Sequence, residues 1–340
     1  MIDTHNPEIR FAIQAVRLAS RLVRLVQSEM VTPALTKDDR SPVTVADFAS
    51  QALIAHLLED AFPQDPLVAE EDAAILRTPE ESQSLERVTQ FTSQFASGAT
   101  PESVCAWIDR GGADPLNGGG DREARRFWTL DPIDGTKGFL RGDQYVVALA
   151  LIQDGMVQLG SLGCPNLRDG FQSDIGGPGS IVIAARGKGA WITSVENDRG
   201  GFEQIQVSDQ RDPSQARILR SFESGHTNVS QIDEFAHALG IQSQDPVRMD
   251  SQAKYALLGA GRGDIYLRLL SPSRPDYREK IWDQAAGSLI VQEAGGQVTD
   301  LGGKALDFGL GRTLAANRGI LASNGRLHPA ALEALRAIHA

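Results

Sequence analysis

The chain has 340 residues, 41% of them hydrophobic, and its 44 acidic against 33 basic side chains give a formal charge of -11. That length exceeds what one core usually fills, so two packed lobes are expected. The acidic balance argues against a nucleic-acid polymer as partner, because such binding rests on clustered Lys and Arg that neutralise phosphates. Cys105 and Cys164, the two cysteines, suggest neither a disulfide framework nor a thiolate zinc site. The start MIDTHNPEIR lacks an apolar signal core, and no run of about 18 apolar residues exists to span a bilayer. The expectation is a soluble, cytoplasmic monomer that does not engage a membrane.

Ile9, Ile13, Val16, Ala19, Val23, Val26 and Met30 recur at three- and four-residue steps and predict a helix with one buried face. A second helix is predicted from about Ala46 to Ala61, ending before Pro63. The short apolar piece Leu67 to Ala69 then delivers Glu70 and Glu71 at its end, while Thr78 to Arg126 turns polar and glycine-rich and reads as surface helix plus loop.

Next comes WTLDPIDGTKGFLR, Trp128 to Arg141. It sets Asp131 and Asp134 three residues apart at the end of an apolar strand, where their oxygens can serve Mg²⁺, a small cation that binds a few carboxylates plus waters and substrate phosphate. Pro132 fixes a backbone angle between them, which holds the Ile133 carbonyl in a defined direction as a further oxygen. Gly135 and Thr136 expose backbone N–H groups at the start of a short helix, a place that favours an anion.

Tyr145 to Ile152, Met156 to Leu162, Ile181 to Ala185 and Ala190 to Thr193 read as an antiparallel meander. Beyond about Ser208 the pattern becomes strand, helix, strand, helix: 218–221, 229–239, 247–249, 252–260, 264–270 and 284–294. That alternation marks an α/β lobe, and His328 to Ala340 reads as a closing helix. The expected division is an N-terminal α+β lobe, 1–207, with an antiparallel sheet and most of the acids, and a C-terminal α/β lobe, 208–340.

Hydrolysis of a phosphate ester by two metals needs carboxylates converging from separate elements, and Asp47, Glu70, Asp131, Asp134 and Asp283 all sit at the start or end of apolar elements. Read singly, Asp47 and Glu70 are more often turn or cap residues, and Asp283 is equally a helix N-cap.

Six stretches carry a resemblance that spans nearly the whole chain: SPVTVAD, VAEED, LDPIDGTKGFLRG, DSQAKY, DIYLR and KIWDQAAG. Together they resemble the lithium-sensitive, magnesium-dependent phosphatases related to inositol monophosphatase, and the TKGFL ending is similar to the 3'(2'),5'-bisphosphate nucleotidase branch. The resemblance implies a layered αβαβα sandwich of the inositol monophosphatase and fructose-1,6-bisphosphatase type, with the site between the lobes. It places metal ligands on Glu70, Asp131, the Ile133 carbonyl, Asp134 and Asp283, for two or three Mg²⁺ ions. It places activation of the attacking water on Asp47 and Thr136, and substrate contacts on Thr136, His226, Ser251, Lys254, Arg268 and Asp283. The Lys254 and Arg268 cations suit a second phosphate far from the metals.

The reaction so implied removes the 3'-phosphate of adenosine 3',5'-bisphosphate to give AMP, and converts 3'-phosphoadenylyl sulfate to adenylyl sulfate, with inhibition by lithium and a link to sulfate assimilation. Two alternatives stand beside it: an inositol (poly)phosphate 1-phosphatase with the same metal site, and a non-catalytic nucleotide sensor. LDFGLGRTLAA also resembles a C-terminal stretch of the nucleotidases; its glycines read first as turn residues.

Overall fold

The computed structural model describes residues 2–31, 41–116, 126–197, 200–221, 229–241, 247–271 and 273–339. Helices α1 (Pro7–Met30) and α2 (Ser41–Ala61) lead to the three-residue strand β1 (Leu67–Ala69). Helices α3 (Ser82–Ser93) and α4 (Pro101–Asp109) come before β2 (Arg126–Asp134) and the one-turn α5 (Thr136–Leu140). Strands β3 (Val146–Gln153), β4 (Met156–Cys164), β5 (Leu167–Arg168), β6 (Gln172–Ser173), β7 (Ser180–Ala185), β8 (Ala190–Ser194) and β9 (Glu203–Ile205) follow. The remainder is β10 (Ile218–Arg220), α6 (Val229–Ala238), β11 (Val247–Arg248), α7 (Ala253–Gly259), β12 (Ile265–Arg268), α8 (Ala285–Glu293), β13 (Gln297–Thr299), β14 (Ile320–Ser323) and α9 (His328–Ala337).

The amphipathic stripe of α1 is buried as its spacing requires, and the Asn6 side chain caps the helix by accepting from the backbone N–H of Ile9 at 2.9 Å. Helix α2 starts at Ser41, five residues before its expected start. Val45, Ala46, Phe48, Ala49, Ala52 and Leu53 are all buried, so this helix is apolar around most of its girth and shows a weak one-sided period.

Two sheets result. Seven strands run β1-β2-β3-β4-β7-β8-β9, and five run β11-β10-β12-β14-β13. The first sheet is antiparallel as expected except at its edge, where β1 pairs parallel with β2, Leu67 opposite Trp128. That edge corrects the expectation of a wholly antiparallel sheet: helices α3 and α4 form the crossover that a parallel pair needs. In the second sheet β10, β11 and β12 are parallel, whereas β14 runs antiparallel between β12 and β13.

Alternation along the strands sorts the core into three bodies. Leu130, Val147, Leu149, Ile181 and Ile183 pack under α1 and α2. Val146, Ala148, Ala150, Leu162 and Val182, on the opposite face, pack against α7 and α8, whose other side meets Leu219, Tyr266 and Ala322 of the second sheet. Ile218, Ile265, Leu267 and Leu321 face α6 and α9. The order is helices, sheet, helices, sheet, helices, the expected αβαβα sandwich. Gly160 on β4 makes the close approach of α8 possible: a Cβ there would lie 2.6 Å from the Ala286 carbonyl oxygen. Both cysteines are free and buried, and among the described residues no helix is long and apolar enough to cross a membrane.

Candidate active site

Strand β2 ends in an irregularity that decides where its acids point. Asp131 is paired with Ala148 and Asp134 with Val146 on β3, so three steps along one strand match two along the other. One residue is therefore extra. On a regular strand Asp131 and Asp134 would face opposite sides; the bulge brings both onto the face shared by Ala148 and Val146, toward α7 and α8. The Ser50 hydroxyl on α2 donates to the Pro132 carbonyl at 3.1 Å and holds the bulge from behind. A proline inside a strand pattern is itself a bulge signal.

The other acids come from three directions. Asp47 is buried on α2, and one turn along the Gln51 amide clamps Glu71 through both of its backbone groups, at 2.7 and 3.0 Å. Glu70 stands beside Glu71 at the end of β1, and Asp283 lies just before Gln284, the N-cap of α8. The charges of these acids act on one another. Asp131 is raised well above the usual carboxylate range by burial and then by Glu70, Asp134, Asp283 and Asp47. Burial and Asp134 raise Asp283 to about 8, and burial, Glu71 and Asp134 raise Glu70 to about 7, against the lowering fields of Lys280 and Arg312. Asp47 is raised by burial, Glu71 and Glu70.

Two cations line the cleft with these acids. Lys254, buried on α7, donates to the Ser221 hydroxyl at 3.1 Å and the Met249 carbonyl at 3.2 Å, and lies over the Tyr266 ring at 5.3 Å. Desolvation lowers its ammonium to about 8. The Arg268 Nε lies 2.9 Å from Oε2 of buried Glu279. Gln284 donates to that same oxygen at 3.0 Å and accepts from the Tyr255 hydroxyl at 2.6 Å. Ser251, with φ of 59°, lies against Gly135, whose φ of 92° leaves room for no Cβ: one would sit 2.9 Å from that of Ser251.

The cleft has a volume of about 740 Å³. Asp47, Asp134, Thr136, Ser251, Lys254, Arg268 and Asp283 all line it, so seven of the residues singled out from the sequence meet at one place. Asp131 and Ile133 are buried and Glu70 is exposed at the end of β1; none of the three is among the lining residues. His226 lies outside the described residues. Glu71, Asp250 and Tyr277 also line the cleft, and sequence reasoning gave them no role. The VAEED run held the signal for Glu71, whereas Asp250, which pairs with Arg141, is placed by a contact across 109 residues.

Chemically the cleft combines a surplus of negative charge with two cations, Lys254 and Arg268, whose fields reach Asp134. The residues fit divalent cations. Oδ1 of Asp131 is buried without a hydrogen-bond partner, an arrangement that is costly unless a cation meets that oxygen. The acids are drawn near one another but not closed: among the described residues no three His, Cys, Asp or Glu side chains already form a set able to hold a metal ion.

Residues 6–340 match the inositol monophosphatase family. The chain is 42% identical to a 3'(2'),5'-bisphosphate nucleotidase of Schizosaccharomyces pombe, over 98% of this chain and 96% of the relative. It is 40% identical to one of Oryza sativa, over 98% and 95%. Among solved structures it resembles the Thermotoga maritima IMPase, with a TM-score of 0.62 at 22% identity over 98% of both chains. An inositol monophosphatase from Anabaena gives 0.60 at 22% over 98% and 97%. With a match that runs almost from end to end, and the layered fold and acidic cleft in place, this chain belongs to the inositol monophosphatase family.

Proposed function

We propose that this chain is a magnesium-dependent 3'(2'),5'-bisphosphate nucleotidase that hydrolyses the 3'-phosphate of adenosine 3',5'-bisphosphate to AMP and phosphate, and 3'-phosphoadenylyl sulfate to adenylyl sulfate. One observation carries the choice of substrate: acids that suit metals line the same cleft as buried Lys254 and half-buried Arg268. A substrate with two phosphates can use both, one on the metals and one on the cations. The names of the relatives at about 40% identity point the same way.

In this reading Glu70, Asp131, the Ile133 carbonyl, Asp134 and Asp283 hold two or three Mg²⁺ ions, which supply positive charge to the phosphoryl oxygens and acidify the attacking water when bound. The chain's own residues do the rest. Asp47 accepts the Thr136 hydroxyl's hydrogen bond, and Thr136 in turn accepts from the attacking water, so that a proton has a path to a carboxylate raised by burial. Thr136 and Asp283 touch the scissile phosphate, while His226, Ser251, Lys254 and Arg268 hold the nucleotide. In-line displacement then expels the ribose oxygen. Residues 1–207 would form the metal-binding lobe and 208–340 the nucleotide-binding lobe. The protein would act as a cytoplasmic monomer, with no polymer or membrane partner and with lithium as an inhibitor.

The test compares phosphate release from adenosine 3',5'-bisphosphate and from inositol 1,4-bisphosphate, with and without Mg²⁺ and Li⁺. The expected result is Mg²⁺-dependent, Li⁺-inhibited release from the nucleotide at the higher rate. Faster turnover of the inositol compound makes the chain an inositol phosphate 1-phosphatase, and binding without release makes it a sensor.

A further inference from the structure

Arg312 belongs to the LDFGLGRTLAA run, to which no role falls in the reaction above. Its side chain crosses to the other sheet. One terminal nitrogen donates to the carbonyl of Ala69, the last residue of β1, and the other donates to the Gly111 carbonyl at 3.1 Å. The Gly111 oxygen also accepts from the Ala69 backbone N–H at 2.9 Å. Guanidinium, Ala69 and Gly111 therefore form one closed knot, immediately before Glu70.

The same residue is tied at its backbone to the segment before Asp283. Its carbonyl accepts from the Ile281 N–H at 3.2 Å, the Leu314 N–H donates to Glu279 at 2.9 Å, and Lys280 and Thr313 pair as an antiparallel bridge. The guanidinium carbon lies 4.9 Å from the centre of the Trp282 ring. Glu70 follows β1 and Asp283 lies in the turn before α8, and the Arg312 side chain joins the residue before one to the residue before the other.

We infer that Arg312 is a positioning residue whose guanidinium fork fixes the end of β1 against the 279–282 segment, so that Glu70 and Asp283 arrive in register to take up divalent cations. The inference rests on the proposed metal-binding reading of these acids. The planar fork is what the geometry uses, since it reaches two carbonyls while its face lies on the indole; a lysine ammonium keeps the charge but cannot do both.

The sign of the effect separates positioning from mere charge. Arg312 opposes cation binding through its field, which acts on Glu70, so on Coulomb grounds its removal should tighten the site. If the fork positions the acids, removal weakens it. Mg²⁺ is titrated calorimetrically into the full-length wild type, Arg312→Lys and Arg312→Met, with Arg217→Met as a destabilised control. The last breaks the two-point pairing of Arg217 with Asp264, at 2.9 Å for each bond, on the second sheet.

Both Arg312 variants should bind Mg²⁺ about tenfold more weakly, with the KM for adenosine 3',5'-bisphosphate at saturating Mg²⁺ held within about twofold. The control should keep the affinity of the wild type. Wild-type or tighter binding in Arg312→Met, undiminished binding in Arg312→Lys, or an equal loss in Arg217→Met overturns the inference while the proposed function stands. A wild type that binds no Mg²⁺ overturns both.

Discussion

The backbone N–H of Gln252 donates to Oδ2 of Asp134 at 2.6 Å, so the second acid of the β2 bulge is held by the turn that opens α7. Gln252 is itself fixed, its side-chain amide donating to the Trp282 carbonyl at 3.0 Å and accepting from the Gly287 N–H at 3.2 Å. One residue of the second half of the chain thus reads the position of both Asp134 and the start of α8, which is where Asp283 stands.

Asp134→Asn keeps an oxygen for Gln252 but removes the negative charge. Turnover should fall by about a thousandfold, in line with the loss of charge stabilisation at the reacting phosphate. The thermal melt followed by circular dichroism should stay close to that of the wild type. Retained phosphate release would remove Asp134 from the metal set.

Lys254→Met should raise the KM for adenosine 3',5'-bisphosphate far more than that for a simple monophosphate, since only the former has a second phosphate to lose contact with. The wild type should show the same split with pH. With the ammonium lowered to about 8, Lys254 is charged below that pH and neutral above it, so the bisphosphate KM should rise as pH climbs past about 8 while the monophosphate KM stays flat. Parallel profiles for the two substrates would argue against a distal-phosphate role.

Gly160→Ala places a methyl group 2.6 Å from the Ala286 carbonyl oxygen and 2.8 Å from its Cα, against the backbone of α8. Helix or strand must shift, at a cost of about 1–3 kcal/mol by the measure of overpacked cores. Because Asp283 lies two residues before that helix, kcat should fall with stability. Urea unfolding and initial rates check the pair of effects, and an unchanged kcat would uncouple α8 from the site.

His328 supplies a pH dependence of stability away from the cleft. It is buried, with Nε2 3.0 Å from the Thr299 hydroxyl and Nδ1 2.9 Å from that of Ser323. Desolvation lowers it to about 4 from an ordinary 6.5. The unfolded chain therefore binds more protons between those values, and the stability that His328 contributes is complete above pH 6.5 and is lost as pH falls toward 4. The loss is on the order of 3 kcal/mol. In His328→Gln, denaturant midpoints should show a shallower decline over that window; an identical decline would assign the acid sensitivity elsewhere.

Much of the cleft was legible because its chemistry is local in sequence. Asp131, Pro132 and Asp134 announce the acids and a fixed backbone angle within four residues, and the helices of the second half follow their apolar periods. What escaped has physical reasons. β13 and β14 are three and four residues long, too short to show an alternating period, and the start of α2 is hidden because burial on most sides erases its amphipathic signature. Gln252, Glu279 and Arg312 act through partners 118, 11 and 243 residues away. No spacing rule reaches the first and last of these. Glu279 escaped differently: its partner Arg268 lies close in sequence, but a carboxylate turned inward looks, as a letter, like any surface acid.

The placement of β14 between β12 and β13 bears on how the protein is made. While the ribosome is still extending the chain, β12 can pair with β10, but its other flank waits for residues 320–323, long after every acid of the cleft has emerged. A nascent chain stopped short of that point carries an open strand edge of the kind that invites association between copies. Premature termination before residue 320 should therefore yield aggregates rather than a shortened enzyme.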